Sequence, residues 1–267
     1  MKIKTVGLLV VSMTLSTINA QKKYEKIIYQ DATYEGSDIR VTAKDVVSNK
    51  EMTKFQYRIE NKTDKLIMYR PEESAIKLPG GKEIKPNEKP LVIHQGDSDY
   101  RTVNVKGSDF LIPEYSYDVE GLYIFSDRET AVEAPEFMLP PSRNDFKAGN
   151  FSCSMADLKK ETAKTTVKFE CRYTGDDIGV INPGRAAIKL PDGTEIANAK
   201  KNSKSQVLLK GDTEKITLTW DRMEGGKTTD MQLIKMQILW RDTFVEAEEE
   251  KMKPVSLTMK IDESRSK

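Results

Sequence analysis

The chain has 267 residues, 43 of them basic and 42 acidic, for a formal net charge of +1. That balance leaves no global field to select nucleic acid or an anionic membrane, and a charged fraction of 32% predicts an extensively solvated surface. One histidine and two well-separated cysteines exclude a multi-histidine metal site and a Cys-x-x-Cys redox centre.

Residues 1–20 read as a secretory signal peptide. Lys2 and Lys4 precede the apolar run VGLLVVSMTL at 6–15, and small residues lead to a cut after Ala20. The run is too short to span a bilayer, which takes roughly 20 apolar residues. The mature chain is therefore expected to be exported, periplasmic or extracellular, with no transmembrane segment and no lipid-anchoring cysteine at the cut.

The next elements have the period of strands. Ile39, Val41 and Ala43 alternate with Arg40, Thr42 and Lys44, and Phe55, Tyr57 and Ile59 alternate with Gln56, Arg58 and Glu60. AIKLPGGKEI at 75–84 then reads as a β-hairpin, with Pro79 presetting the first turn position and Gly81 accepting a positive φ. His94, the lone histidine, sits at a strand end, followed by the acidic turn Asp97–Ser98–Asp99. No closing glutamate completes a calcium loop there, and no G-x-S-x-G elbow accompanies the histidine. A segment rich in aromatic and apolar residues, FLIPEYSY, follows at 110–117, and two prolines in 140–145 mark a linker.

Beyond the linker the chain repeats itself. AIKLPDGTEI at 187–196 matches the earlier phrase at eight of ten positions, 112 residues on. At that shift Asp45 meets Asp157, Thr53 meets Thr165, Asp64 meets Asp176 and Pro71 meets Pro183. The second copy has the same alternation: Phe151, Cys153 and Met155; Val167, Phe169 and Cys171; Ile216, Leu218 and Trp220; Val255, Leu257 and Met259. Each copy has about seven short strands bounded by Gly, Asn, Asp and Pro. The expected architecture is all-β: two tandem immunoglobulin-like antiparallel β-sandwich domains, 21–139 and 146–267, joined by 140–145. Trp220 and Trp240 are expected in the core.

Cys153 and Cys171 occupy inward positions on neighbouring strands. In an oxidising compartment they are expected to form a structural disulfide, two buried thiols being the alternative. RIENKTDKLIMY at 58–69, followed by AIKLPGGKEI and the later Gly96–Asp97, resembles the telokin-like immunoglobulin-fold domains of bacterial exported proteins of unknown function. The second copy departs from that pattern with Tyr173 in place of Asn61. The resemblance implies a non-catalytic envelope domain and carries no catalytic residues.

Nine of the ten tyrosines precede residue 140, and FLIPEYSY contrasts with its counterpart in the second copy, the polar GGKTTDMQ at 225–232. Phe110, Ile112, Tyr115 and Tyr117 are therefore candidates for a partner site, for the contact between the two copies, or for one sheet face. The expected function is non-catalytic recognition of an envelope or extracellular protein, with no cofactor, metal or nucleic acid. A carbohydrate or small-ligand module is the alternative, and a hydrolase a distant third.

Overall fold

The computed structural model describes residues 24–107, 110–128, 130–222 and 230–267. The proposed signal peptide, residues 1–20, lies outside them. The fold is all-β. Among the described residues the elements are strands apart from two single-turn 3₁₀ segments, Pro71–Glu73 and Pro183–Arg185. These begin at the two prolines that correspond in the repeat.

The first sandwich has one sheet in which Lys26–Ile28 and Ala32–Glu35 both pair with Ile39–Asn49, followed by Met52–Asn61 and Ser98–Lys106. Ile39, Val41 and Ala43 point inward as the alternation predicts. Asp45 then adopts a φ of 53° at an irregularity in the pairing, and Val46 and Ser48 become the buried residues. Aspartate tolerates this left-handed conformation better than most residues, so one extra residue re-phases the strand without exposing its apolar face. The facing sheet contains Glu83–Ile84, Ala75–Lys77, Glu114–Val119 and Val255–Lys260. Leu91–Ile93, Leu66–Tyr69, Leu122–Phe125 and Glu250–Lys251 form a separate four-stranded sheet.

The second sandwich repeats this plan. Asp145–Ala148, Phe151–Glu161, Lys164–Tyr173 and Thr213–Asp221 form one sheet, with the pairing irregularity between Met155 and Asp157. Asp157 is the repeat partner of Asp45. The facing strands are Glu195–Ala197, Ala187–Lys189, Met236–Leu239 and Phe137–Leu139, then Gln206–Leu208, Ile178–Ile181 and Phe244–Ala247. Trp220 and Trp240 are buried, and Trp240 joins Phe137, Phe146, Phe169 and Phe244 in one aromatic cluster. Both copies of the repeated phrase are hairpins: Ile76 pairs with Ile84 and Ile188 with Ile196, and Gly81 and Gly193 have φ of 84° and 88°. The phrase is written twice because each sandwich closes the same hairpin, although the turns differ at one position: Gly80 has a φ of 86°, and its counterpart Asp192 does not take a positive φ.

Strand pairing does not divide where the repeat divides. Phe137–Leu139, at the end of the first copy, pairs with Met236–Leu239 of the second. Val255–Lys260, at the end of the second copy, pairs with Glu114–Val119 of the first over six residue pairs. The second sandwich is thus closed by the strand just before its own first strand. The first is closed by the last strand of the chain, and its core takes in Val255, Leu257 and Met259. The halves therefore share sheets across the expected 140–145 linker. The physical reason is that Leu139–Pro140 and the short stretch after it lead directly into Asp145–Ala148, so Phe137–Leu139 is held beside the second core and the first must find its closing strand elsewhere.

A third apolar layer joins the sandwiches. Leu66, Met68 and Phe125 pack against Ile178, Val180, Val245 and Ala247. Leu66–Tyr69 and Ile178–Ile181 are therefore buried on both faces. Polar contacts rim this layer. His94 Nε2 lies 2.9 Å from the Ser205 carbonyl, Lys204 pairs with Asp97 at 2.6 Å, and the Asp127 carbonyl accepts hydrogen bonds from Asn182 and Arg185.

One acid sits uncomfortably at the edge of the first core. Glu88 has a buried Oε2 with no hydrogen-bond partner, and burial pushes its pKa up to about 7. Its charge is felt by Tyr57, Tyr69 and Tyr117. A raised carboxyl favours the folded state fully below its unfolded value of 4.5, and that contribution is lost as the pH rises through about 7. Glu88→Gln is expected to leave stability unchanged near pH 4 and to raise it by about 1–2 kcal/mol at pH 8, given the side chain's partial contact with water. Urea titrations at the two pH values check this; equal gains at both would remove the titration as the cause.

Candidate functional site at the seam of the first sandwich

The residues singled out in FLIPEYSY are core, not an exposed surface. Phe110, Tyr115 and Tyr117 are buried, and Ile112 is partly buried against the same core. Strand alternation turns Tyr115, Tyr117 and Val119 inward, and each phenol finds a partner there. Tyr115 Oη lies 2.8 Å from Thr53 Oγ1, and Tyr117 Oη lies 2.5 Å from Tyr69 Oη. Tyr29 donates to the carbonyls of Phe110 and Ile112 at 3.0 and 2.9 Å. Burial drives the phenols of Tyr115 and Tyr117 well above the ordinary range and that of Tyr29 up to about 12, so all three stay neutral and act as apolar fillers with a satisfied tip. As a surface for an outside partner this set is corrected: the aromatic enrichment of the first copy fills its interior. The strand carrying Tyr115 and Tyr117 does meet the other half of the chain, through Met259 and Leu257. The counterpart segment 225–232 lies mostly outside the described residues.

Cys153 and Cys171 are directly paired across adjacent strands and disulfide-bonded, with Cα atoms 4.0 Å apart. The bond closes a loop with a sequence separation of 18, and in the chain-entropy account that adds about 3 kcal/mol. The acidic turns after His94 and at Asp212 serve their own backbone. Asp97 accepts from Ser98 N–H, Asp99 from Tyr100 N–H, and Asp212 from Leu209 N–H. Among the described residues no three His, Cys, Asp or Glu side chains are grouped to hold a metal ion, and no helix is long and apolar enough to cross a membrane.

The sequence reading missed a cleft. Where the two sheets of the first sandwich part, an open groove of about 630 Å³ runs between Tyr34–Ile39, Thr63–Lys65 and the segment 250–255 that crosses from the second sandwich. Its apolar lining is Tyr34, Ile39, Ile124, Met252 and Val255, with Ile39 and Val255 almost wholly buried, and its charged lining is Asp38, Asp64, Lys65, Glu250, Lys251 and Lys253. Tyr34 is 39% exposed, one of the few large apolar side chains on the surface.

Ion pairs beside the lining residues hold the segments that build this cleft. Arg70 grips Glu249 with two hydrogen bonds of 2.8 and 2.6 Å and lies 4.3 Å from the Tyr123 ring centroid. Glu73 accepts from Tyr123 Oη and from Lys251. Burial raises the Glu73 carboxyl, but the hydrogen bonds from Lys251 and Tyr123 outweigh it and hold the group below its ordinary value. Next to the lining stretches at 34–39 and 63–65, Glu35 pairs with Arg40 and Lys62. The crossing segment is thus clamped in place, and the cleft is preformed. No residue pattern in either copy alone foreshadows it, because three distant stretches build it. Compared with known proteins, the chain matches no family model and no curated protein sequence.

Proposed function

We propose that the protein is an exported, non-catalytic recognition protein that binds an extended segment of another envelope or extracellular protein in the seam cleft. The observation that carries this reading is the cleft itself, whose lining mixes apolar side chains with charges of both signs on segments held by neighbouring ion pairs. Such a lining suits a peptide with alternating apolar and charged side chains, and preformed walls lower the ordering cost of binding. The signal-like N-terminus and the disulfide support export, since disulfides persist in oxidising compartments. The carbohydrate alternative has less support: among the described residues Tyr34 is the one aromatic of the cleft, and sugar platforms favour paired rings.

The test is capture of a cross-linked partner from the native envelope by the mature chain, whose N-terminus is expected at Gln21. Tyr34→Ala combined with Lys253→Glu is expected to weaken capture at least ten-fold with an unchanged melting temperature. Tyr100→Ala, an exposed aromatic outside the cleft, serves as control. Undiminished capture by the double variant, or equal loss in the control, would remove the cleft as the site.

A further inference from the structure

The first sandwich is closed by a strand that its own contiguous sequence does not supply. Asp118 and Ser256, hydrogen-bonded at 2.6 Å, lie 138 residues apart in the chain. The equivalent place in the second sandwich is filled by Phe137–Leu139, next in sequence to the sandwich it completes. We infer that the closing strand is exchangeable, so that the groove beside Glu114–Val119 accepts residues 250–261 of a second copy of this chain.

The groove is specific for that sequence. Val255, Leu257 and Met259 fill it, the Ser256 hydroxyl donates to Asp118, and Lys260 lies 3.9 Å from Glu114. On its other edge the strand accepts Gln30 N–H at the Lys260 carbonyl, 2.8 Å, and Ile261 bridges to Tyr29. Arg70 and Glu73 hold Glu249 and Lys251 at its start. A second copy offers every one of these partners, so exchange remakes the contacts of the strand itself, while the layer between the sandwiches, where Val245 and Ala247 lead into the two-residue connection, must part or be exchanged with it. That connection is exposed at Glu248 and Glu249, and Glu246 and Glu250 crowd the same short stretch with like charge. Reciprocal exchange satisfies both copies and gives a closed dimer. The intramolecular strand competes at an effective concentration on the order of 1 mM, so the dimer accumulates at comparable protein concentration, or after partial unfolding has released the strand. This inference stands apart from the proposed binding role of the cleft.

The strand register supplies the test. The Lys260 carbonyl points away from Glu114–Val119, and by the two-residue period so do the backbone groups of Thr258. Ser116 and Thr258 therefore form a non-hydrogen-bonded pair, whose side chains approach closely. Full-length Ser116→Cys and Thr258→Cys variants, mixed at about 1 mM and cycled through mild denaturant, are expected to give a disulfide-linked heterodimer on a non-reducing gel. The Ser116→Cys/Thr258→Cys double variant, oxidised beforehand, is expected to stay monomeric and to regain dimerisation on mild reduction. The inference is overturned if the double variant forms its internal bond while the mixture yields no heterodimer. It is equally overturned if the unmodified chain, taken through the same cycle, remains wholly monomeric by light scattering.

Discussion

Removing residues 250–267 is expected to unfold the first sandwich and leave the second standing. Val255, Leu257 and Met259 are each at most 2% exposed, and burying such side chains stabilises by about 1.5–3 kcal/mol each. Their combined loss, about 5–9 kcal/mol, is comparable with the whole stability of a typical domain. The deletion also strips the ladder from Glu114–Val119 and opens Tyr115 and Tyr117 to water. The two halves report separately, because nine of the ten tyrosines precede residue 140 and both tryptophans, Trp220 and Trp240, follow it. The near-ultraviolet tyrosine band is expected to vanish while tryptophan emission stays at its buried wavelength. A synthetic peptide of residues 249–267 added in trans is expected to restore the band. A truncated chain with a full tyrosine band and a native melting temperature would show that the last strand is dispensable.

The converse effect is expected at Phe137. Although it falls in the first copy of the repeat, its ring lies 5.2 Å from Phe169, 5.5 Å from Phe146 and 6.4 Å from Trp240, all in the second core. Phe137→Ala is expected to cost about 3–5 kcal/mol, the range for a buried aromatic reduced to a methyl group. The loss should appear as a lower midpoint for tryptophan emission in denaturant, with the tyrosine band little affected. Its neighbour Met138 is 43% exposed, and Met138→Ala should stay within about 0.5 kcal/mol of the parent. A Phe137→Ala chain with an unshifted tryptophan transition, or a shift in the tyrosine transition alone, would contradict this assignment.

What the sequence made legible was local. The period-two runs at 39–43, 55–59, 167–171 and 216–220 bury the expected face, because alternation is a property of one strand and needs no knowledge of its neighbours. The two hairpins were legible because Pro and Gly fix a turn from within. The cysteine pair followed from its inward positions on consecutive strands. What escaped was every contact between distant stretches. Phe137–Leu139 and Val255–Lys260 have ordinary strand patterns, and nothing in either run says which sheet it joins. The tyrosines of 110–117 misled because tyrosine suits interfaces and interiors alike; partners such as Thr53 and Tyr69 decide, and they lie far away in the chain. One signal went unread. LIMY at 66–69 and IGVI at 178–181 offer no wet face, and a strand without one is covered on both sides. That pattern marks the layer where the sandwiches meet.

The place of the closing strand bears on how the molecule is made. A ribosome delivers Tyr29, Tyr57 and Tyr117 early, yet the structure that shelters them is finished only after Met259 has been synthesised. Until then the opening part of the polypeptide waits with its aromatic interior ajar, while the middle part already has all it needs to settle. Birth order and completion order are therefore reversed, and any helper that shields nascent chains would find its longest task in the residues made first.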